Sequence, residues 1–333
     1  MRDMPGNPTN SFQGGGKRED TNEQHPGGLT REHVVWAYRL LLDRDPESED
    51  VIGPKLVGSR DTRELRNHLV TSAEFREKNR DYAYTNEPTI VIKEIDAGEG
   101  RVRLFVDLAD HVIGLNIVRG TYERDEVAWV RRILKPGDIA LDVGAHLGFF
   151  AIQMAAMVGA AGRVYAFEPF DANAELLERS VDENRFGGRV VVSRAAVGAA
   201  SGSAMLTFPV ETLNSGGAYL LRDGTAPLAG NLEKRVRMVA LDELELPHPV
   251  RLIKMDVEGA EPQVLEGARR LLMNDRPTIL SELHPAQLQR ASGMTADQFL
   301  AQVRELGYRA RDVSGNAIDR ASADAIVSVV LEP

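Results

Sequence analysis

The residues best suited to chemistry fall in two short stretches. In the first, GDIALDVGAHLGFF (137–150), an apolar run from Ile139 to Leu141 leads into Asp142, then Gly144, Ala145, His146 and Gly148. An apolar segment from Phe149 to Met157 follows. That is the pattern of a strand, a glycine turn and a helix. Gly144 permits a backbone angle closed to other residues and lets a ligand approach the main chain. The helix after it begins with free backbone N–H groups. A second apolar run, Arg163 to Phe167, ends in Glu168 and Pro169. An acid at the end of the second strand of such a unit bonds ribose hydroxyls, about 20 residues beyond the turn.

Two ligand classes use this layout. Dinucleotide enzymes favour a G-x-G-x-x-G turn, whereas here His146 separates Gly144 from Gly148 and no third glycine follows in register. Asp142 would repel a pyrophosphate but suits a ligand with an amino group and a sulfonium, as in S-adenosylmethionine. An NAD-dependent oxidoreductase is the rival enzyme reading. A non-catalytic assembly protein with a cofactor-free sheet is the rival of another class.

The second stretch is LIKMDVEGAE (252–261), an apolar strand that emerges into Lys254, Asp256, Glu258 and Glu261 around Gly259. Ligands of open α/β sheets sit at the carboxyl ends of the strands, so Asp256 is expected near the reactive end of any cofactor held by Gly144. Glu258 and Glu261 also suit the start of a helix. The next strand ends in Ser281-Glu282-Leu283-His284-Pro285, presenting Glu282 and His284 at the same edge. His284 has a pKa suited to general-base work. Asp256 and His284 are the candidate bases. Lys254 either lowers the pKa of an acceptor hydroxyl, orients Asp256, or pairs with Glu282 or Glu258. A divalent cation held by Asp242, Asp256, Glu282 and His284 is an alternative, since oxygen and imidazole ligands suit Mg²⁺.

The elements that must position these groups read as strands alternating with helices. The spacing predicts strands at 139–144, 163–168, 189–197, 251–256 and 277–283, and helices at 124–134, 148–158, 171–184, 261–273 and 295–306. Two closing strands near 308–313 and 325–331 suggest an antiparallel edge hairpin. The result is an α/β fold, a doubly wound, mostly parallel Rossmann-like sheet. Ahead of it, residues 89–95 and 101–107 with Gly98-Glu99-Gly100 between them read as a hairpin, and a further strand is expected over Val112 to Val118. Residues 198–235 read as irregular, with short strands and a mobile loop. Asn214, Ser215 and Tyr219 there are candidate acceptor contacts.

The N-terminal part reads differently. Residues 1–28 are polar and Gly/Pro-rich, and are expected to be disordered. Thr30 caps a helix carrying Val34, Val35, Tyr38, Leu41 and Leu42, which Asp45-Pro46 ends. Asp61 or Thr62 opens a second helix and Ser72 a third. The domain plan is thus a tail (1–28), a helical module (29–82), a β-hairpin and strand extension (88–120) and a catalytic domain (121–333).

With 333 residues the chain can bury a large core. A net charge of −10 argues against a general nucleic-acid surface. There is no cysteine, hence no disulfide and no thiolate metal site. No run approaches the ~18 apolar residues of a membrane span. A cytoplasmic protein without membrane insertion is the expectation.

Two resemblances sharpen this picture. YRLLLDRDPES (38–48) followed by TRELRNHLVTSAEFR (62–76) is similar to the small helical repeat found beside glycosyltransferases and glycan-modifying enzymes. It implies a glycan-linked role, an assembly contact such as homo-oligomerisation, or a plain cap. GDIALDVGAHLGFFA, VYAFEPFDANAELL, VRMVALDEL, LIKMDVEGAEPQVLEGA and ILSELHP together resemble the FkbM family of S-adenosylmethionine-dependent methyltransferases over roughly residues 115–310. His146 departs from that family's usual Asn. The resemblance implies a seven-stranded class I methyltransferase sheet and O-methylation of a hydroxyl on a sugar, glycan, glycolipid or polyketide-type molecule. It also implies that Asp142, Gly144, Ala145 and Gly148 flank the methionine part of the cofactor. Glu168, with Pro169 and Asn173 after it, takes the ribose. Ala195 and Ala196 lie near the adenine, and Glu123 closes over the cofactor. The helical module tilts the acceptor toward a sugar hydroxyl.

Overall fold

The computed structural model describes residues 29–59, 61–70, 72–78, 90–98, 100–110, 112–209, 217–222, 224–228, 230–321 and 325–333. The tail at 1–28, and Asn214 and Ser215, lie outside the described residues. By its contacts the chain divides into two units, Met1–Tyr84 and Thr85–Pro333.

The first unit is helical: α1 (Arg31–Leu42), α2 (Glu49–Val57), α3 (Thr62–Val70) and α4 (Ala73–Lys78). Val34, Tyr38 and Leu42 recur every four residues on α1, so one face meets Ile52, Leu65 and Leu69 in a small core. Arg44, just past α1, makes a two-pronged pair with Glu74 of α4. The sequence pattern missed α2, because Pro54 inside it removes a helical N–H and reads as a breaker.

The second unit opens with a hairpin, β1 (Ile90–Asp96) against β2 (Arg101–Asp107). The strand expected over Val112 to Val118 is instead a helix, α5 (Ile113–Arg119). The end groups decide this: Asp110 Oδ1 accepts from the Val112 and Ile113 N–H groups, and Gly120 closes the helix at φ 70°. These caps outweigh the β-branched composition. Next come α6 (Arg124–Ile133), β3 (Ile139–Val143), α7 (Phe149–Val158), β4 (Arg163–Phe167), α8 (Asp171–Glu183) and β5 (Val190–Ser193).

The run expected as one strand over 189–197 splits at Arg194. β5 stays in the main sheet, while β6 (Ala196–Val197) pairs with β9 (Asn231–Val239). The stretch 198–235 carries strands, as expected, and the central part of its expected loop, 210–216, lies outside the described residues. β7 (Gly202–Pro209) runs antiparallel to β9 along its whole length, and β8 (Tyr219–Leu220) adds to its edge. A second, four-stranded sheet results, β6-β9-β7-β8.

Then follow β10 (Val250–Met255), α9 (Glu261–Gly267), α10 (Arg269–Asp275), β11 (Thr278–Leu283), α11 (Pro285–Ala291), α12 (Ala296–Glu305), β12 (Arg309–Asp312) and β13 (Val327–Glu332). The single helix expected over 261–273 breaks at Ala268, and Pro285 opens α11 directly after β11 and His284. Pro285 suits a first helical position because no N–H is needed there.

The main sheet has seven strands in the order β12-β13-β11-β10-β3-β4-β5. Strands β3, β4, β5, β10 and β11 are mutually parallel, and β13 runs antiparallel to both its neighbours. This is the sheet expected from the sequence, with its reversed closing strand. The strand order departs in opposite directions from β3 and β10, which leaves a crevice outside their carboxyl ends. On one face, α7 is buried on every residue except Ala156, because β2 packs over it and over α8. The Phe105 N–H donates to Ser180 Oγ of α8, 3.0 Å away. Among the described residues no helix is long and apolar enough to cross a membrane.

Candidate active site

The glycine turn sits at the switch point. Gly144 has φ 82°, and a Cβ there would lie 1.8 Å from the Asp256 carbonyl oxygen. Its N–H and that of Ala145 both donate to the Phe167 carbonyl. Gly148 has φ 92°, and a Cβ there would strike Leu177 Cδ1 at 2.4 Å. Both glycines take the left-handed backbone angle that the sequence reading gave Gly144, and neighbouring protein atoms leave no room for a side chain at either. Gly144→Ala combines left-handed strain with an overlap against backbone, each worth about 1–3 kcal/mol. It is expected to cost about 3 kcal/mol, or roughly 6–12 °C in Tm by scanning calorimetry. A variant melting with the parent would show that the turn yields.

His146 takes φ 52°. Asn and His are among the side chains most tolerant of that region, so the exchange keeps the turn. Its N–H donates to Glu168 Oε2 at 2.8 Å, and the Phe170 N–H donates to Oε1 at 2.8 Å. Glu168 is thus held rigidly at the end of β4, with Asn173 of α8 beside it. A narrow cleft of about 70 Å³ opens here. Gly144, His146, Glu168, Pro169 and Asn173 line one side; Ala195, Ala196 and Asp256 line the rest. Val257 and Glu258 close it, and Leu206 and Leu220 wall it from the second sheet. Asp142 lies behind the turn, 1 % exposed, with the Ala151 backbone N–H directed at its carboxylate.

A larger cavity of about 710 Å³ lies under α6, over the ends of β10, β11 and β13. Glu123, Asp125, Glu126, Asp256 and Glu282 contribute carboxylates, and Lys254 and Arg124 contribute cations. Lys254 Nζ pairs with Asp256 Oδ2 at 2.9 Å and lies 5.0 Å from the Phe150 ring centroid. It pairs with neither Glu282 nor Glu258. Burial works against the Lys254 charge, but Asp256, Glu123 and Asp142 hold its pKa above the usual lysine range. Burial raises Glu123, a left-handed residue at the start of α6, and pushes Glu282 up to about 7 with help from the Asp256 charge. Ser328 Oγ donates to Glu126 Oε1 at 2.6 Å. Sequence spacing gave no signal for Glu126 or Ser328, which meet only through the return of β13. Among the described residues Asp256 alone lines both the cleft and the cavity.

Other candidates stand apart. His284 is the N-cap residue of α11 and lines neither space; its Nδ1 is buried without a hydrogen-bond partner, and burial lowers its pKa. Asp242 is committed elsewhere, since its carboxylate accepts from the Arg270 and Leu271 N–H groups at the start of α10. The four ligands of the divalent-cation alternative are therefore not assembled. Among the described residues no group of three or more His, Asp or Glu side chains is placed to hold a metal. Glu261 Oε1 accepts from the Val257 and Gly259 N–H groups, so it shapes the loop after β10.

Burial pushes Asp142 up to about 6, and Glu168 and Glu261 up to about 7. Each holds a proton in the folded chain at pH values where the unfolded chain has released it. Folding therefore takes up protons between about pH 4 and 7, and stability falls as pH rises through that window. The ligand-free protein is expected to melt lower at pH 8 than at pH 5.5, a net loss of about 2 kcal/mol being worth roughly 4–8 °C. A Tm that rises over that interval would contradict this.

The FkbM methyltransferase domain matches residues 142–310. The chain belongs to that family. The match begins at Asp142, later than the 115 suggested by the sequence reading. The 31-O-demethyl-FK506 methyltransferase FkbM of Streptomyces tacrolimicus is 28% identical over 177 residues, covering 45% of this chain and 67% of that protein. Among solved structures, the methyltransferase FkbM from Methylobacillus flagellatus KT is 17% identical with a TM-score of 0.37, over 64% of this chain and 51% of that one. The chain thus spans about half the length of that structure. A SAM-dependent O-methyltransferase from Thermotoga maritima is 15% identical with a TM-score of 0.39, over 72% and 77%. FkbM membership makes the protein a methyltransferase and sets aside the oxidoreductase and assembly-scaffold readings.

Proposed function

We propose that this FkbM methyltransferase moves a methyl group from S-adenosylmethionine to a hydroxyl oxygen of a sugar, glycan or glycolipid. The observation that carries the reading is the place of Asp256, the residue common to cleft and cavity. A transferred methyl passes from donor to acceptor, so the reacting atoms belong where the two spaces meet.

The lining of the cleft suits the donor's chemistry, though its volume of about 70 Å³ has to open to admit the whole cofactor. Glu168, fixed by two backbone N–H groups, keeps lone pairs for ribose hydroxyls. Ala195 and Ala196, with Phe167 and Leu206, make an apolar slot suited to adenine. Asp142, buried behind the turn, adds a carboxylate whose charge suits a ligand ammonium without lining the cleft. When bound, the cofactor supplies an activated, electrophilic methyl carbon. Asp256 takes the hydroxyl proton as the new bond forms. Lys254 holds its Oδ2 and leaves Oδ1 to face the acceptor. Glu123 and Glu282 accept hydrogen bonds from neighbouring hydroxyls and fix the acceptor's pose. Such alignment supplies ~7–11 kcal/mol of barrier reduction. A wall of carboxylates favours a polyol and disfavours an anion. His284, lining neither space, drops behind Asp256 as the base. The relative named for 31-O-demethyl-FK506 supports a polyketide-type acceptor as the second reading.

Calorimetric titration of the full chain with S-adenosylhomocysteine is expected to show one site, with no heat from NAD. Radiolabelled methyl is expected to appear in a glycan extract. Label found only in a macrolide selects the second reading, and absence of S-adenosylhomocysteine binding sinks both.

A further inference from the structure

A third cavity, about 410 Å³, opens among β1, α5, α6 and α7. Its size is that of a small-molecule site, and nothing in methyl transfer requires it. Ile95, Ile117, Val127 and Phe149 form an apolar wall, with Tyr122 set edge-on to Phe149 at 5.1 Å. Lys93, Arg124 and Arg131 bring three cations to it. Two acids share the lining, each with a partner: Glu94 pairs with Arg101 at 3.3 Å, and Asp96 Oδ1 accepts from the Gly98 N–H while its carbonyl accepts from Arg131. Gln153 on α7 is a second, separate sign. It is 1 % exposed and lines the cavity, and its Nε2 donates to the Phe149 carbonyl. Its Oε1 accepts no hydrogen bond from a described residue. That oxygen is left open to a ligand donor.

We propose that this cavity binds an amphipathic anion: an aliphatic chain along the apolar wall, a hydroxyl donating to Gln153 Oε1, and an anionic headgroup among Lys93, Arg124 and Arg131. The site shares no residue with the donor cleft; it adjoins the larger cavity through Arg124 and Ala128, and its occupancy does not depend on the methyl-transfer reading.

The test is calorimetry on the full chain saturated with S-adenosylhomocysteine, using 10-hydroxydecanoate, decanoate and 1,10-decanediol as probes. Hydroxydecanoate is expected to bind tightest, with the diol about tenfold weaker for want of a charge-assisted contact. Lys93→Glu is expected to weaken hydroxydecanoate about tenfold and leave the diol unchanged. Gln153→Leu is expected to reverse the preference between hydroxydecanoate and decanoate. Ile95→Trp, which fills the cavity from the hairpin, is expected to weaken all three. Equal affinity for the three probes, no binding, or parental affinity in both Lys93→Glu and Ile95→Trp overturns the proposal. If S-adenosylhomocysteine fails to bind, the donor reading fails, and the same titrations without it still decide this one.

Discussion

Asp256→Asn is expected to lower methyl transfer by at least ~10²-fold while S-adenosylhomocysteine binds within a few fold of the parent. Base removal of a hydroxyl proton contributes roughly 10²–10⁴ in rate. Asparagine keeps the shape of the side chain but accepts no proton. The donor cleft keeps Glu168, Asn173 and the Asp256 carbonyl that braces Gly144, so affinity for the donor product survives. Single-turnover transfer and a titration on the same preparation separate the two effects. Wild-type turnover in the variant would remove Asp256 from the chemistry. A parallel collapse of binding would instead assign it to holding the cofactor.

Lys254→Met is expected to cost the protein about 3–5 kcal/mol at pH 8, the usual penalty for removing one partner of a buried pair. Lys254 is buried and its Asp256 partner is mostly so. Methionine fills the volume beside Phe150 but leaves Asp256, Asp142 and Glu123 facing one another without their cation. Lys254 lowers the pKa of Asp142 and Glu123 at present. Without it both rise further, so the folded variant gains more by taking up protons. The deficit should therefore shrink as pH falls from 8 toward 5.5. Urea unfolding of parent and variant at both pH values measures this. Equal stability at pH 8 would mean the carboxylates are less coupled than their packing implies.

The parts of the fold legible in the sequence are those with a local cause. Apolar runs alternating with amphipathic segments specify the main sheet, and Asp142-Val143-Gly144 marks its switch point. Gly144 and Glu168 were legible for the same reason: each follows directly after a strand, and parallel strands deliver their ends to one edge; Ala195, two residues past β5, came from the family resemblance. What escaped has non-local causes. α5 is decided by Asp110 and Gly120 outside an apolar run that suits a strand equally well. β7 and β9 stabilise each other across a loop, so neither is periodic enough alone. The Glu126–Ser328 contact joins residues from opposite ends of the unit. Asp242 and His284 have the right chemistry for a site but are placed at helix ends by the turns around them.

The all-round burial of α7 sets a limit on where the enzyme may be cut. Phe149, Phe150, Met154 and Met157 are covered partly by residues that precede the family match. A fragment beginning at Asp142 would retain every strand of the main sheet except the start of β3, yet would expose an oily column to water. A fragment that starts near Ile90 keeps the hairpin and with it the cover over that helix.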